Sequence, residues 1–510
     1  MSEQRPVNIA EVMSRGGRPA GSRREIKIID TTLRDAHQSI WATRMRTEHM
    51  LSMIEHFDAA GFSQVDLMAP IQFDVSVRYL KEDPWERVRQ VCQQAPSANV
   101  RALIRSRNLA AFDFLPWDVI DAWVDRLVEN GVRVIGAFDG LNDIDNIARP
   151  LLRAKERGVR TFGAVSFSES PVHTDELFVA KAQELIEKAD IDAVMLKDAG
   201  GLLTPERIRT LVPALREVIG DRELEVHTHS QTGLAPLVCL EAVECGADTL
   251  HLSVAPLSAG NGQPSTQSVV RDLRALGYVV NVNDEHIDAI GNRIREIAEA
   301  EDKPLGVPVE YNGLHYMHQI PGGMLSNFRA QLETAGLSHR YDELLHEVAR
   351  VREELAYPIM ITPFAQFVGT QAVMNVMTGE RYKVVPNEIK KYALGYYGKP
   401  LAALNPEALE KILANGSSNI SETPPPLEPM MSSLRERYPE EDIDLWLLRA
   451  QFAGTQVDEM KKAVAEGITA EGGRMQTLDL ITSLYDSTQS GRQVLKSGDL
   501  RIAIDKGESK

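Results

Sequence analysis

Between residues 26 and 254, eight short β-rich runs alternate with longer stretches of helical periodicity. No other feature of the chain limits its fold as much. The runs are 26–32, 62–68, 100–105, 132–139, 161–167, 191–198, 224–229 and 248–254. Each is followed by enough residues for a helix, as in "TEHMLSMIEHFDAAG" and "TDELFVAKAQELIEKAD". Several helical stretches end in a glycine suited to a left-handed cap: Gly61, Gly131, Gly158 and Gly246. Strands joined by helices run parallel, and eight such units over this span match a (β/α)8 TIM barrel of the α/β class. An open doubly wound sheet is the alternative. It usually has fewer strands and opens on a glycine-rich phosphate turn, whereas the first turn here, "TTLRDAHQS", has no glycine.

The barrel is expected over 26–300, after a flexible arm at 1–25. Residues 301–415 have a helical character and are read as an extension completing the active-site funnel. The run "NGSSNISETPPPLEP" gives a stiff Pro-rich linker at 416–429. A helical tail, a possible subunit-docking element, is expected over 430–510. Fifty-six basic against 73 acidic residues give a net charge of −17, without the basic stripe of a nucleic-acid binder. No apolar run reaches the roughly 18–20 residues of a membrane span. Cys92, Cys239 and Cys245 form no CxxC pair, and the N-terminus lacks the apolar core of a secretory signal. A soluble cytoplasmic protein is the expectation.

In such a barrel the strand C-termini carry function, and polar side chains gather there. The first run leads into Asp35, His37 and Gln38, the third ends in Arg105, and the fourth in Asp139. The sixth ends in Lys197 and Asp198, and the seventh in His227 and His229, followed by Ser230 and Gln231. Positions i and i+2 of a strand share a face, so "HTH" aims two imidazoles at one point. With Asp35 they make a mixed N/O set suited to Zn, Mn, Co or Fe rather than Ca. Alternatively the two histidines are hydrogen-bonded core groups. Lys197 has several readings: an ion pair with Asp198 or Asp139, a base of depressed pKa, a Schiff-base amine, or a carbamylated metal ligand. A cationic lysine beside a divalent ion is disfavoured, so a metal there goes with a modified or displaced lysine.

The motifs "DTTLRDAHQSIWATRMRT", "LKDAGGLLTP", "HTHSQTG", "GQPS", "PGGMLSNFR" and "ITPFAQFVGTQAVMNVMTGERY", in that order, resemble the carboxyltransferase family of biotin-dependent enzymes. Its members include pyruvate carboxylase, the oxaloacetate decarboxylase α subunit and the transcarboxylase large subunit. The resemblance implies that Asp35, His227, His229 and a carbamylated Lys197 hold a divalent metal (Zn, Mn or Co). It implies that Arg34, Gln38 and Arg105 contact a small 2-oxo acid, and that Thr362 passes a proton between biotin and substrate carbon. The reaction would move CO2 between carboxybiotin and the acid through its enolate. No "AMKM"-type attachment site occurs, and the Met-Lys of "VDEMKKAV" has a helical, charged setting. Biotin would then ride on a separate carrier protein, charged by a biotin carboxylase subunit, and family members commonly form homodimers. A metal-dependent aldol-type lyase or condensing enzyme of the same barrel superfamily is the alternative, and a non-catalytic scaffold a third reading.

The chain also departs from the family pattern. "LMAPIQFD" stands where a Trp-Gly-Gly run is usual, Gly136 where the fourth strand carries a bulky cation, "SRN" follows Arg105, and "SQTG" follows the seventh strand. These changes, Arg107 among them, suggest that the acceptor is not ordinary pyruvate.

Overall fold

The computed structural model describes residues 23–321 and 336–467, positions 325, 328, 332 and 333 between them, and the backbone of 491–497 and 500–506. Most of the N-terminal arm thus lies outside the described residues. Its last part does not hang free: Arg24 donates to the Val243 and Ala247 carbonyls at 2.9 and 2.6 Å.

Eight strands close into a parallel barrel in chain order. They are β1 (Lys27–Asp30), β2 (Gln64–Met68), β3 (Val100–Arg105), β4 (Val134–Phe138), β5 (Arg160–Ser166), β6 (Ala193–Asp198), β7 (Glu223–Thr228) and β8 (Thr249–Leu252). β8 closes onto β1 through the pairs Lys27↔Thr249 to Asp30↔Leu252. β1, β4, β5, β7 and β8 stop one or two residues short of their runs, and at β1 a polar side chain turns the chain. Asp30 accepts from the backbone N–H and hydroxyl of Thr32, both at 2.8 Å, which ends β1 and starts the π-helical turn Thr32–Ala36.

The barrel floor explains the glycine on β4. A Cβ on Gly136 would lie 1.9 Å from the Phe162 ring, which reaches across from β5 and fills that volume. The Arg101 guanidinium of β3 covers the same ring at 3.6 Å and pairs with Glu225 of β7 at 3.0 Å. A cation missing from one strand is thus present on its neighbour, and Gly136 opens no space toward substrate.

Helices Tyr341–Glu354, Phe364–Thr378, Asn387–Ala393 and Pro406–Asn415 form a second apolar core around Leu344, Val348, Phe364, Tyr392 and Ile412. Arg352 fastens this unit to the barrel, donating to Ser168 Oγ at 2.8 Å and the Glu169 carbonyl at 3.2 Å. Ile359 and Ile361 pack with Leu103 and Phe138 at the barrel mouth.

Beyond the exposed prolines at 424–426, the chain docks back on the barrel. The Asp118 carboxylate accepts from the Met430 and Met431 N–H groups at 2.8 and 2.7 Å. Helices Met431–Arg437, Ile443–Arg449 and Gly454–Glu466 follow. Leu447, Leu448, Val457 and Met460 join the barrel's own core, and Asp444 binds Arg89 at 2.7 Å and Arg126. The sequence expectation of helix through 510 needs one correction. The backbone of Gly491–Ser497 and Leu500–Lys506 pairs as an antiparallel hairpin. Its second strand alternates Leu500, Ile502 and Ile504 with Arg501 and Asp505, the period of a strand rather than a helix.

Candidate active site

The tight turn after β1 places Arg34 and Asp35 side by side. Arg34 clamps Asp35 Oδ2 at 2.8 Å and Asp66 Oδ2 at 2.7 Å, contacts that use three of its five N–H groups. From β7, the inward-facing His227 and the residue beyond the strand end, His229, bring Nε2 atoms to 3.1 and 3.4 Å from Asp35 Oδ2. The three residues' ligand atoms lie within 4.8 Å of one another. Tetrahedral Zn with bonds of about 2.0–2.1 Å separates its ligands by roughly 3.3 Å, so the set fits one ion. His227 Nε2, although close to Asp35, has no hydrogen-bond partner while fully buried. A buried ring nitrogen held 3.1 Å from a carboxylate oxygen without a hydrogen bond between them suits a cation shared by the two groups.

The protonation states suit that role. Burial alone would raise the Asp35 pKa, but the Arg34 guanidinium beside it outweighs that and holds the carboxyl well below its usual range. Burial, then the Lys197 charge, holds His227 neutral. His229 Nδ1 lies 2.6 Å from the Asn261 carbonyl, which takes a proton there and leaves Nε2 for an ion. Gln263 Nε2, 3.0 Å from His229 Nε2, is a neighbour of any ion so held.

Lys197, the penultimate residue of β6, reaches the same place, and burial lowers its pKa to about 8. The ion pairs considered for it do not form. Asp198 accepts from the Leu202 and Leu203 N–H groups and the Thr228 hydroxyl, and Asp139 from Ser106, Leu141 and Asp143. Both aspartates are committed to their own loops. Among the described residues the Lys197 ammonium has the Phe138 ring 5.5 Å away and no counter-ion at contact distance.

These groups open onto a cavity of about 250 Å³ lined by Arg34, Asp35, Gln38, Arg105, Lys197 and Thr362, with apolar walls from Leu103, Phe138 and Ile361. His229 and Gln231 border it as well, whereas His37, Asp139, Asp198, His227 and Ser230, also expected at the strand ends, do not line it. Gln38 sits 3.4 Å from the Gln72 amide. Arg105 is buried, gives one hydrogen bond to the Ala111 carbonyl at 2.7 Å and leaves Nε without a partner. Burial brings its pKa down to about 10, against the charge of Asp74. His37 bonds the Leu33 carbonyl at 2.9 Å and only shapes the turn. Of "PGGM", Pro321 lines the cavity, and Gly322 to Met324 lie outside the described residues.

Gln366, Asn261 and Gln263 escaped the sequence reading. Gln366 lines the cavity with an unpartnered Oε1, and its signal was a place four residues past Thr362. Gln263 lay in plain view within "GQPS".

Two family models match this chain: an HMGL-like model over residues 142–294 and a conserved carboxylase domain over 316–469. A pyruvate carboxylase subunit from Methanocaldococcus jannaschii is 38% identical over 439 residues, spanning 84% of this chain and 77% of that protein. The chain belongs to the biotin-dependent carboxyltransferase family. The 2-oxoglutarate carboxylase large subunit of Hydrogenobacter thermophilus is 35% identical over 400 residues, spanning 78% of this chain and 61% of that one. The carboxyltransferase domain of Rhizobium etli pyruvate carboxylase shares the fold, with a TM-score of 0.80 at 23% identity, covering 99% of this chain and 88% of that one. The aldol-type lyase alternative is not retained. The HMGL-like match stops within the barrel, whereas the carboxylase match covers the segment carrying Thr362.

Within this carboxyltransferase the departures from family pattern sort by place. Arg107 stacks on Trp117 and Phe114, 4.2 and 5.0 Å from their centroids, and does not border the cavity. Neither Arg107 nor Gly136 lines the cavity. Of the departures, Pro70, Ile71 and Gln231 do line it. Lys461 of the "EMKK" sequence lies mid-helix, paired with Glu441 at 2.6 Å, in no setting for biotin attachment.

Proposed function

We propose that this chain is the subunit that moves a carboxyl group between biotin on a separate carrier protein and a small 2-oxo acid. The observation that carries this reading is the convergence of Asp35, His227 and His229 in a cavity that also holds Arg105 and Thr362. Asp35, His227, His229 and a carbamylated Lys197 would hold a divalent ion (Zn, Mn or Co). An uncharged amine is the form that captures CO2, and burial favours it at Lys197. When bound, the ion supplies Lewis-acid stabilisation of negative charge on the 2-oxo oxygen.

The chain's own groups do the rest. Arg105, with a free Nε, takes the substrate carboxylate, and Gln38 and Arg34 donate to the acid's oxygens. Thr362 carries a proton between the substrate carbon and the biotin ring nitrogen, opposite in direction to the carboxyl group. Leu103, Phe138 and Ile361 exclude water, which strengthens each of these electrostatic contacts. In the same reading the 301–415 segment completes the funnel over the mouth, and the segment beyond the Pro-rich linker docks partner subunits. The protein would act in the cytoplasm as a homodimer with a biotin carboxylase subunit. No described helix is long and apolar enough to cross a membrane.

The test is transfer of labelled carboxyl from a carboxylated carrier to 2-oxo acids, comparing parent with Thr362→Ala. The variant is expected to lose roughly 10²–10⁴-fold in kcat, the usual worth of a positioned proton carrier, with KM for the acid and metal content unchanged. Equal kcat would remove Thr362 from the reaction, and no transfer by the parent would remove the reading.

A further inference from the structure

We infer that His251 and Glu225, held from the barrel floor by Arg101, are positioning residues that fix the tautomer of His227. The inference rests on the metal-site reading above and assigns a task to three residues outside the cavity. All four side chains are at most 1% exposed.

The chain of contacts runs inward across the barrel. His227 Nδ1 lies 3.1 Å from His251 Nδ1, the two rings meeting edge to face at 84°. His251 Nε2 lies 3.0 Å from Glu225 Oε2, and the same oxygen is 3.0 Å from Arg101 Nη1. Arg101 Nη1 also donates to Gln64 Oε1 at 3.0 Å.

Hydrogen-bond bookkeeping leaves one arrangement for neutral rings. A carboxylate only accepts, so His251 Nε2 carries its ring's proton and donates to Glu225. His251 Nδ1 is then an acceptor, so the proton facing it belongs to His227 Nδ1. That leaves the lone pair of His227 on Nε2, the atom 3.1 Å from Asp35. The opposite tautomer would put a hydrogen where the ion binds. The Asn261 carbonyl does the same for His229 through a single contact. His227 lies too deep for a loop carbonyl, and the relay of side chains takes that place.

The test uses the full chain, stripped of metal by chelation, as parent, His251→Phe and His251→Gln. Phenylalanine keeps the volume and leaves the Arg101–Glu225 pair intact. Glutamine can accept from His227 with its oxygen and donate to Glu225 with its amide. Zn2+ affinity is read by competition with a chromophoric chelator, and geometry by the visible spectrum of the Co2+ form. His251→Phe is expected to bind Zn2+ roughly 10–100-fold more weakly, the usual cost of losing a hydrogen bond behind a ligand, with an altered Co2+ spectrum. His251→Gln is expected to regain most of the affinity. Equal affinity and an unchanged spectrum in His251→Phe would overturn this inference alone, whereas a parent that binds no ion would overturn the metal-site reading with it. If His251→Phe fails to fold, 15N-histidine spectra of the Zn2+-loaded parent decide: a proton on His227 Nδ1 supports the relay, and metal on Nδ1 overturns it.

Discussion

Asp35→Ala protein is expected to purify without a stoichiometric divalent ion and to lose roughly 10³-fold in kcat/KM for carboxyl transfer, about 4 kcal/mol of transition-state stabilisation. Asp35 is the only carboxylate in the three-residue cluster, so its removal takes away both a ligand and the negative charge that favours a cation there. Arg34 keeps its contacts to Asp66 at 2.7 Å, so the turn after β1 retains its anchor and the fold is expected to survive. Metal content per chain by mass spectrometry, with kinetics on the same preparation, checks both halves. Normal metal content would exclude Asp35 from the ligand set. Normal activity without the ion would exclude metal from the chemistry.

Arg105→Lys is expected to lose roughly 100-fold in kcat/KM, about 3 kcal/mol, the upper range for a hydrogen bond to a charged group. A buried guanidinium with an unpartnered Nε and no carboxylate within ion-pair distance among the described residues awaits an anion. An ammonium can supply the charge but not the planar two-point grip. The loss is expected mainly in KM for the acid, with metal content unchanged. Arg107→Lys, two residues on, serves as the contrast: it stacks on Trp117 outside the cavity and is expected to leave kcat/KM nearly unaltered. Equal losses in both variants would mean general destabilisation rather than substrate binding.

Patterns with a short period were legible before any coordinates. The β/α alternation marked the closed barrel, and the period of two in "HTH" put His227 and His229 on one face. What depends on neighbouring strands was not legible. Gly136 reads as the loss of a cation, yet Phe162 fills its space and Arg101 restores the charge from the next strand. The Arg101–Glu225–His251 relay joins three strands, and only the register and tilt of the barrel bring those residues together. Lys197 was ambiguous for a related reason. Whether Asp139 and Asp198 are available to it depends on loop N–H groups that claim them first. The C-terminal helices looked polar because only a narrow stripe, including Leu447, Leu448, Val457 and Met460, faces the barrel. The final hairpin was missed because short alternating runs compete poorly with a helical neighbourhood.

The most direct measurement is X-ray diffraction at a metal absorption edge, on crystals grown with Zn2+ or Mn2+ and bicarbonate. One anomalous peak is expected within bonding distance of Asp35, His227 Nε2 and His229 Nε2, with density for an added CO2 on Lys197 reaching the same ion. Crystals that carry no peak there, or a peak with an unmodified Lys197 turned away from it, would contradict the account.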